Sequence, residues 1–182
     1  MAVSTSYIAV GTADKKIHIF DKRKLDFPFY EKLQPNCDQI RSLCFIKDDE
    51  ALATGTTTSR IYIDNIKNTK ESYSYLCHKK LIEGKEALFA INAVTAHPIY
   101  HTLGSGGSDA SVSIWDIDNQ KRVSYIPLTT SVSSLCFSEN GNYLGIASSY
   151  NRDNGIRENS YYHKIIIRSL TENELKFKEK AA

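Results

Sequence analysis

Between Ala90 and Asp116 the chain reads AINAVTAHPIYHTLGSGGSDASVSIWD: two apolar runs around a His-Pro turn, a glycine- and serine-rich stretch, then an alternating run closed by Trp115-Asp116. The apolar positions lack helical spacing, and turn residues bound the runs, so the pattern predicts short β-strands. One such unit cannot bury its own apolar face; stacked copies can.

The pattern recurs. A first run appears as Ile40–Phe45, Ile91–Ala96 and Val132–Phe137, and a second as Tyr7–Thr12, Ala51–Thr56, Thr102–Gly107 and Tyr143–Ser148. A third appears as Lys16–Asp21, Arg60–Asp64, Ser111–Asp116 and Lys164–Arg168. The offsets agree: Cys44 to Leu52, Thr95 to Leu103 and Cys136 to Leu144 are each eight residues, and Ile8 to Ile17, Leu52 to Ile61 and Leu103 to Val112 are each nine. Successive second-run anchors lie 44, 51 and 41 residues apart, and only the last unit breaks step, through the polar insertion NRDNGIRENSYYH. Fourth strands are expected at Phe27–Leu33, Glu71–Cys77 and Lys121–Ile126. Four short strands per unit of about 40–45 residues, with GSD and WD signals, describe the blades of an all-β propeller.

The whole chain, 1–182, therefore reads as one partial propeller of about four blades, near 1–35, 36–80, 88–127 and 128–175, with a charged tail over 171–182. The eight-residue offset would end the first blade's inner strand near Met1, so that strand is expected to be missing. The last blade lacks an obvious fourth strand. The expectation is the C-terminal half of a seven-bladed ring, with open strand edges that favour aggregation in isolation.

Composition narrows the classes. The formal net charge of +2 is too small to argue for a nucleic-acid surface. No stretch approaches the roughly 20 apolar residues of a bilayer span, so no membrane partner is expected. Cys37, Cys44, Cys77 and Cys136 contain no CxxC pair and read as reduced, mostly buried thiols.

Candidate chemistry is sparse. His97 and His101 have a spacing that suits zinc only on a helix, which Pro98 denies. Cys77-His78 lacks an orienting group or oxyanion hole, and the Gly104–Gly107 stretch precedes a strand and lacks a GK[ST] signature. No catalytic residue, cofactor or metal site is expected. Asp109 reads as a blade turn whose carboxylate accepts backbone N–H bonds, with Asp14 in the same place of the first unit and Trp115 in blade packing.

The repeat resembles the WD-repeat family, most clearly in GGSDASVSIWD. Along its whole length the chain resembles the branch that contains the spindle-checkpoint Bub propeller and the mRNA-export Rae/Gle propeller. AVGTADKKIHIFDKRK, SRIYID, LCHKK and IASSYN carry that likeness. The resemblance implies a non-enzymatic scaffold that binds the acidic GLEBS-type peptide of a checkpoint kinase or a nucleoporin. It further implies recognition of phosphorylated motifs of a kinetochore scaffold, with RNA as an indirect associate of the export relatives. By matching position, Arg60 would pair with a carboxylate, and Lys79, or its neighbour Lys80, with carboxylate or phosphate. The implied location is the nucleus and kinetochore, or the nuclear envelope and pore in the export branch. The chain departs from the family pattern at Thr58, at Ser59, where the family has glycine, and at Ala110, where glycine usually follows Ser-Asp.

Overall fold

The computed structural model describes residues 1–150 and 163–176. The polar insertion at 151–162 and the end of the expected tail at 177–182 lie outside the described residues. Within them, the alternating runs form antiparallel meanders. The first sheet holds β1 (Ala2–Val3), β2 (Tyr7–Gly11), β3 (Lys16–Asp21) and β4 (Tyr30–Leu33). The second holds β5 (Ile40–Ile46), β6 (Ala51–Thr56), β7 (Arg60–Asn65) and β8 (Tyr73–Leu76). A separate hairpin follows, β9 (Lys79–Ile82) and β10 (Lys85–Leu88). The third sheet holds β11 (Ile91–Ala96), β12 (Thr102–Gly107), β13 (Ser111–Asp116) and β14 (Lys121–Pro127). The fourth holds β15 (Val132–Phe137), β16 (Tyr143–Ser148) and β17 (Lys164–Ser169). This is a partial β-propeller.

Two features differ from expectation. The inner position of the first sheet, expected to be empty, is occupied by β1: Ala2 pairs with Ala9 and Val3 with Ile8, which extends the ladder by two residues. The hairpin β9–β10 was not anticipated. Its turn places Glu83 (φ 50°) and Gly84 (φ 77°) in left-handed conformations, the geometry that matches a tight hairpin to strand twist. The first part of the charged tail forms a single helical turn, α1 (Glu172–Leu175). It is closed by a Thr171/Glu174 capping box and anchored by buried Leu175.

Three apolar clusters fill the seams between sheets. Ala9, Ile17, Ile19, Leu43 and Leu52 join the first sheet to the second. Ile61, Ile63, Ile91, Leu103 and Trp115 join the second to the third. Val112, Ile126, Val132, Leu144 and Ile146 join the third to the fourth. Every second residue of these strands faces a seam, which is why alternation in sequence becomes burial in the fold.

The meander sorts the connections to opposite ends. Turns between second and third strands, and links from one sheet to the next, lie at one end, called upper below; the remaining turns lie at the lower end. At the upper end Lys15 (φ 67°), Ser59 (φ 62°) and Ala110 (φ 59°) each precede a third strand in the left-handed region. The turn thus keeps its conformation where glycine is absent, at a cost of roughly 1–2 kcal/mol per residue. Ser59 recovers part of this through its hydroxyl, which donates to the His78 carbonyl at 2.5 Å.

Candidate peptide-binding end

Two groups of side chains meet at the upper end, one buried and one exposed. The buried group is a hydrogen-bonded chain across the seam between the second and third sheets. The Trp115 indole N–H donates to Ser105 Oγ at 2.8 Å, and His78 Nε2 lies 2.8 Å from the same oxygen. His78 Nδ1 lies 2.8 Å from Asp109 Oδ1, and the Ser111 hydroxyl donates to Asp109 Oδ2 at 2.6 Å. His78 is 1% exposed and Trp115 8%. Gly107 makes room for this chain: a Cβ there would stand 2.4 Å from His78 Nδ1 and 2.7 Å from Asp109 Oδ1.

Asp109 therefore accepts side-chain donors, where backbone N–H bonds were expected. The carboxylate looks across the seam, while the turn's Ser108 carbonyl accepts from the Ser131 hydroxyl at 3.3 Å and its Asp109 carbonyl from Lys80. Burial alone would push the Asp109 carboxyl up, but the His78 and Ser111 hydrogen bonds and the nearby charge of Lys80 outweigh it and hold it below its ordinary value. Asp14, at the same place in the first sheet, is exposed instead. It accepts from the Thr12 hydroxyl and lies 3.3 Å from Lys16, which together lower its pKa. Trp115 also packs its ring against Tyr75, with centroids 5.0 Å apart.

The exposed group is cationic. Arg60 opens β7, and its backbone pairs with Leu76; its guanidinium donates one bond to Ser74 Oγ at 3.0 Å, which leaves further N–H donors for a ligand. Lys79, on β9, forms an ion pair with Glu86 of β10 at 2.7 Å. Both partners are about half exposed (48% and 51%), so the pair contributes little and can be exchanged for another carboxylate. Lys80 differs from Lys79: its ammonium donates to the Asp109 carbonyl and lies 6.0 Å from the Phe89 ring centroid, which ties the hairpin to the third sheet. Chain connectivity brings Arg60, Lys79 and Lys80 to one end of the second sheet, while Asp14 belongs to the first and Asp109 and Trp115 to the third.

The remaining candidates are engaged elsewhere. His97 is buried at the lower end. Its Nδ1 accepts the Ile99 and Tyr100 backbone N–H groups at 3.2 and 3.0 Å, so Nε2 carries the proton donated to the Gly141 carbonyl at 3.1 Å. His101 lies 3.0 Å from Asp118. Among the described residues no three His, Cys, Asp or Glu side chains converge as a metal site would require. Cys37 and Cys77 are buried and Cys44 is half-buried, whereas Cys136 is exposed, unlike the mostly buried thiols expected. The His78–Ser105–Asp109–Trp115 chain was the feature that sequence reasoning did not assemble. Its signals were present, in a histidine just after a fourth strand and a serine in the following second strand, but nothing in their spacing joins them.

Comparison with known proteins agrees with this architecture. The WD domain, G-beta repeat family matches residues 123–157. "Mitotic checkpoint protein bub-3" of Caenorhabditis elegans is 34% identical over 96% of this chain and 53% of its own length. "Mitotic checkpoint protein BUB3.1" of Arabidopsis thaliana is 30% identical over 95% of this chain and 52% of its own. "Poly(A)+ RNA export protein" of Schizosaccharomyces pombe is 30% identical over 93% of this chain and 49% of its own. The chain thus spans about half the length of the curated relatives it matches. In shape it resembles a chain of the "Crystal Structure of Mitotic Checkpoint Complex", with a TM-score of 0.70 at 16% identity over 93% of this chain and 47% of that one. Repeated four-stranded sheets and these likenesses lead to one conclusion: the chain belongs to the WD-repeat family that includes the mitotic checkpoint and RNA-export propellers.

Proposed function

We propose that the chain is part of a non-enzymatic spindle-checkpoint scaffold, and that its upper end captures an acidic GLEBS-type peptide of a checkpoint kinase. The observation that carries this reading is the grouping of Arg60, Lys79 and Lys80 on one rigid sheet end, with Arg60 presenting unspent guanidinium donors. Charge-assisted hydrogen bonds from Arg60 would orient a carboxylate in a fork, and Lys79 would exchange Glu86 for a carboxylate or phosphate of the partner. On this reading the protein works in the nucleus and at kinetochores, where it also meets phosphorylated motifs of a kinetochore scaffold. The likeness to the Schizosaccharomyces pombe RNA-export protein supports a second reading, a nuclear-pore role with a nucleoporin peptide as ligand and RNA as an indirect associate.

Binding of the chain to three peptides separates these readings: a kinase GLEBS peptide, a nucleoporin GLEBS peptide and a phosphorylated kinetochore motif. Phosphate-dependent capture together with the kinase peptide is the expected result; capture of the nucleoporin peptide alone would establish the export reading instead. Arg60→Glu is expected to weaken GLEBS binding by more than tenfold, since it replaces a carboxylate donor by a like charge. Unchanged affinity would remove Arg60 from the site.

A further inference from the structure

The residue that follows each third strand holds an equivalent place. Its backbone N–H donates to the carbonyl just before the second strand: Lys22 to Ser6 at 3.0 Å, Ile66 to Glu50 at 2.9 Å, Ile117 to His101 at 3.2 Å and Leu170 to Asn142 at 2.9 Å. In the second, third and fourth sheets that residue is apolar and packs into a seam. The first sheet has a lysine there, and its apolar residues come later and face outward. Leu25 is 55% exposed, Phe27 77% and Phe29 50%. Large apolar side chains exposed singly are ordinary, but a contiguous patch of them marks an interaction site. The link is also longer: 22–29 joins β3 to β4, where 117–120 suffices between β13 and β14.

This link frames a cavity of about 350 Å³ at the lower rim of the first sheet, lined by Tyr7, Asp21, Lys24, Phe27, Pro28 and Phe29. One side is aromatic: the Tyr7 and Phe29 ring centroids lie 5.0 Å apart, and Tyr7 continues to Phe45 at 6.3 Å. The frame is pinned at both ends. The Lys24 N–H donates to the Asp21 carbonyl at 2.9 Å, and Phe29 rejoins the ladder by donating to the Ile19 carbonyl at 3.0 Å. Pro28 fixes its own φ and biases Phe27 toward extended backbone. Charge is sorted as well. The Asp21 carboxylate accepts the Arg23 guanidinium in a two-pronged pair, at 3.0 and 2.6 Å, and is neutralised within the loop. Lys24 lines the cavity, and among the described residues its ammonium has no hydrogen bond or ion pair.

We propose that this cavity is a docking site for an extended segment of a partner protein, which seats a large apolar side chain against Tyr7, Phe27 and Phe29 and places a carboxylate on Lys24. An aromatic-lined pocket concentrates binding energy on one anchor side chain, and the free cation selects an acidic neighbour. A membrane surface suits the site less. Lys22, Arg23 and Lys24 are opposed by Asp21 and Asp26, whereas a polybasic membrane site gathers roughly four to eight basic residues. The site lies at the other end of the sheets from Arg60 and Lys79 and does not depend on the reading of that end. Both ends can be occupied at once, which lets the scaffold bridge two partners.

The test exposes the full 182-residue chain to an array of immobilised peptides. Each is about nine residues long and carries one leucine, methionine or phenylalanine, with an aspartate or glutamate within about three residues of it, a reach of about 10 Å in an extended chain. Capture is expected, and replacing the apolar residue by alanine or the acid by lysine should abolish it. On the tightest peptide, Phe27→Ala and Lys24→Glu are each expected to weaken binding about tenfold in fluorescence anisotropy, while Lys85→Glu leaves it unchanged. Circular-dichroism melts verify that each variant is folded. A peptide with lysine in place of its acid should bind Lys24→Glu more tightly than it binds the wild type, which a merely structural role would not produce. Binding that survives both Phe27→Ala and Lys24→Glu strikes out the site; if Arg60→Glu then abolishes it, the capture belongs to the upper end. No capture at low salt also overturns the proposal and leaves the reading of the upper end untouched. Phe27-dependent binding to phosphatidylcholine–phosphatidylserine vesicles, or Phe27-dependent self-association in sedimentation, reassigns the patch to a membrane or to a second copy and overturns it too.

Discussion

The seam between the first and second sheets and the seam between the second and third use the same topological positions with different chemistry. Trp115 stands opposite Leu103 on β12, and Asp64 stands opposite Leu52 at the matching place on β6. In the later seam the indole spans to Ser105 and starts a chain that ends at Ser111. In the earlier one the short Asp64 carboxylate, 1% exposed, is reached instead from β4 and the residue after it, by the Lys32 ammonium and the Gln34 amide. Tyr62 adds a bond to the Pro35 carbonyl, and Thr58 one to the Asn36 carbonyl at 2.9 Å. The two differ in completeness: Thr54, the counterpart of Ser105, and the Gln34 carbonyl oxygen have no protein partner, whereas the Trp-Ser-His-Asp chain joins all its members. Backbone register fixes where two blades meet. The side chain at the tryptophan position decides whether they are joined by a closed hydrogen-bonded chain or by a half-buried ion pair.

The largest expected effect is on the closed chain. Asp109→Ala removes the acceptor of His78 and Ser111 while both stay buried, and should cost about 3 kcal/mol in urea denaturation. Asp64→Ala should cost less, about 1–2 kcal/mol, because Lys32 is 30% exposed and its ammonium can turn to water. A larger loss at Asp64 than at Asp109 would reverse the ranking of the two seams.

The smallest effect is that of acid. Asp109 is held below its ordinary value of 3.8, so the folded state binds fewer protons than the unfolded chain in that range. Its contribution is present in full above the ordinary value and is lost as pH falls through the lowered folded value. Stability measured from pH 5 downward should therefore fall more steeply in the wild type than in Asp109→Asn. Parallel curves would mean that Asp109 does not supply the acid dependence.

Much of the fold was legible in the chain because alternation has a period that only strands satisfy, and because the eight- and nine-residue offsets recur. β1 and the hairpin β9–β10 were harder to read. A two-residue strand carries no periodicity, and β9–β10 is exposed at almost every position, which leaves no apolar alternation to detect. At the candidate site, Arg60 and Lys79 could be named only through family resemblance, since a lone arginine at a strand start is ordinarily a solvated charge. Lys80, read as interchangeable with Lys79, is bonded to the Asp109 carbonyl, and no spacing in the sequence foretells that contact.

By itself the sequence determined the repeat, its strands and the residues that face the seams, because those follow from local alternation and turn chemistry. Tertiary structure alone decided which seam closes through Trp115 and which through Asp64. It also decided that Asp109 faces His78 in place of its own turn. Each of these depends on side chains ten or more residues apart in the chain. Their contacts are fixed by how the sheets stack, and local periodicity carries no record of that.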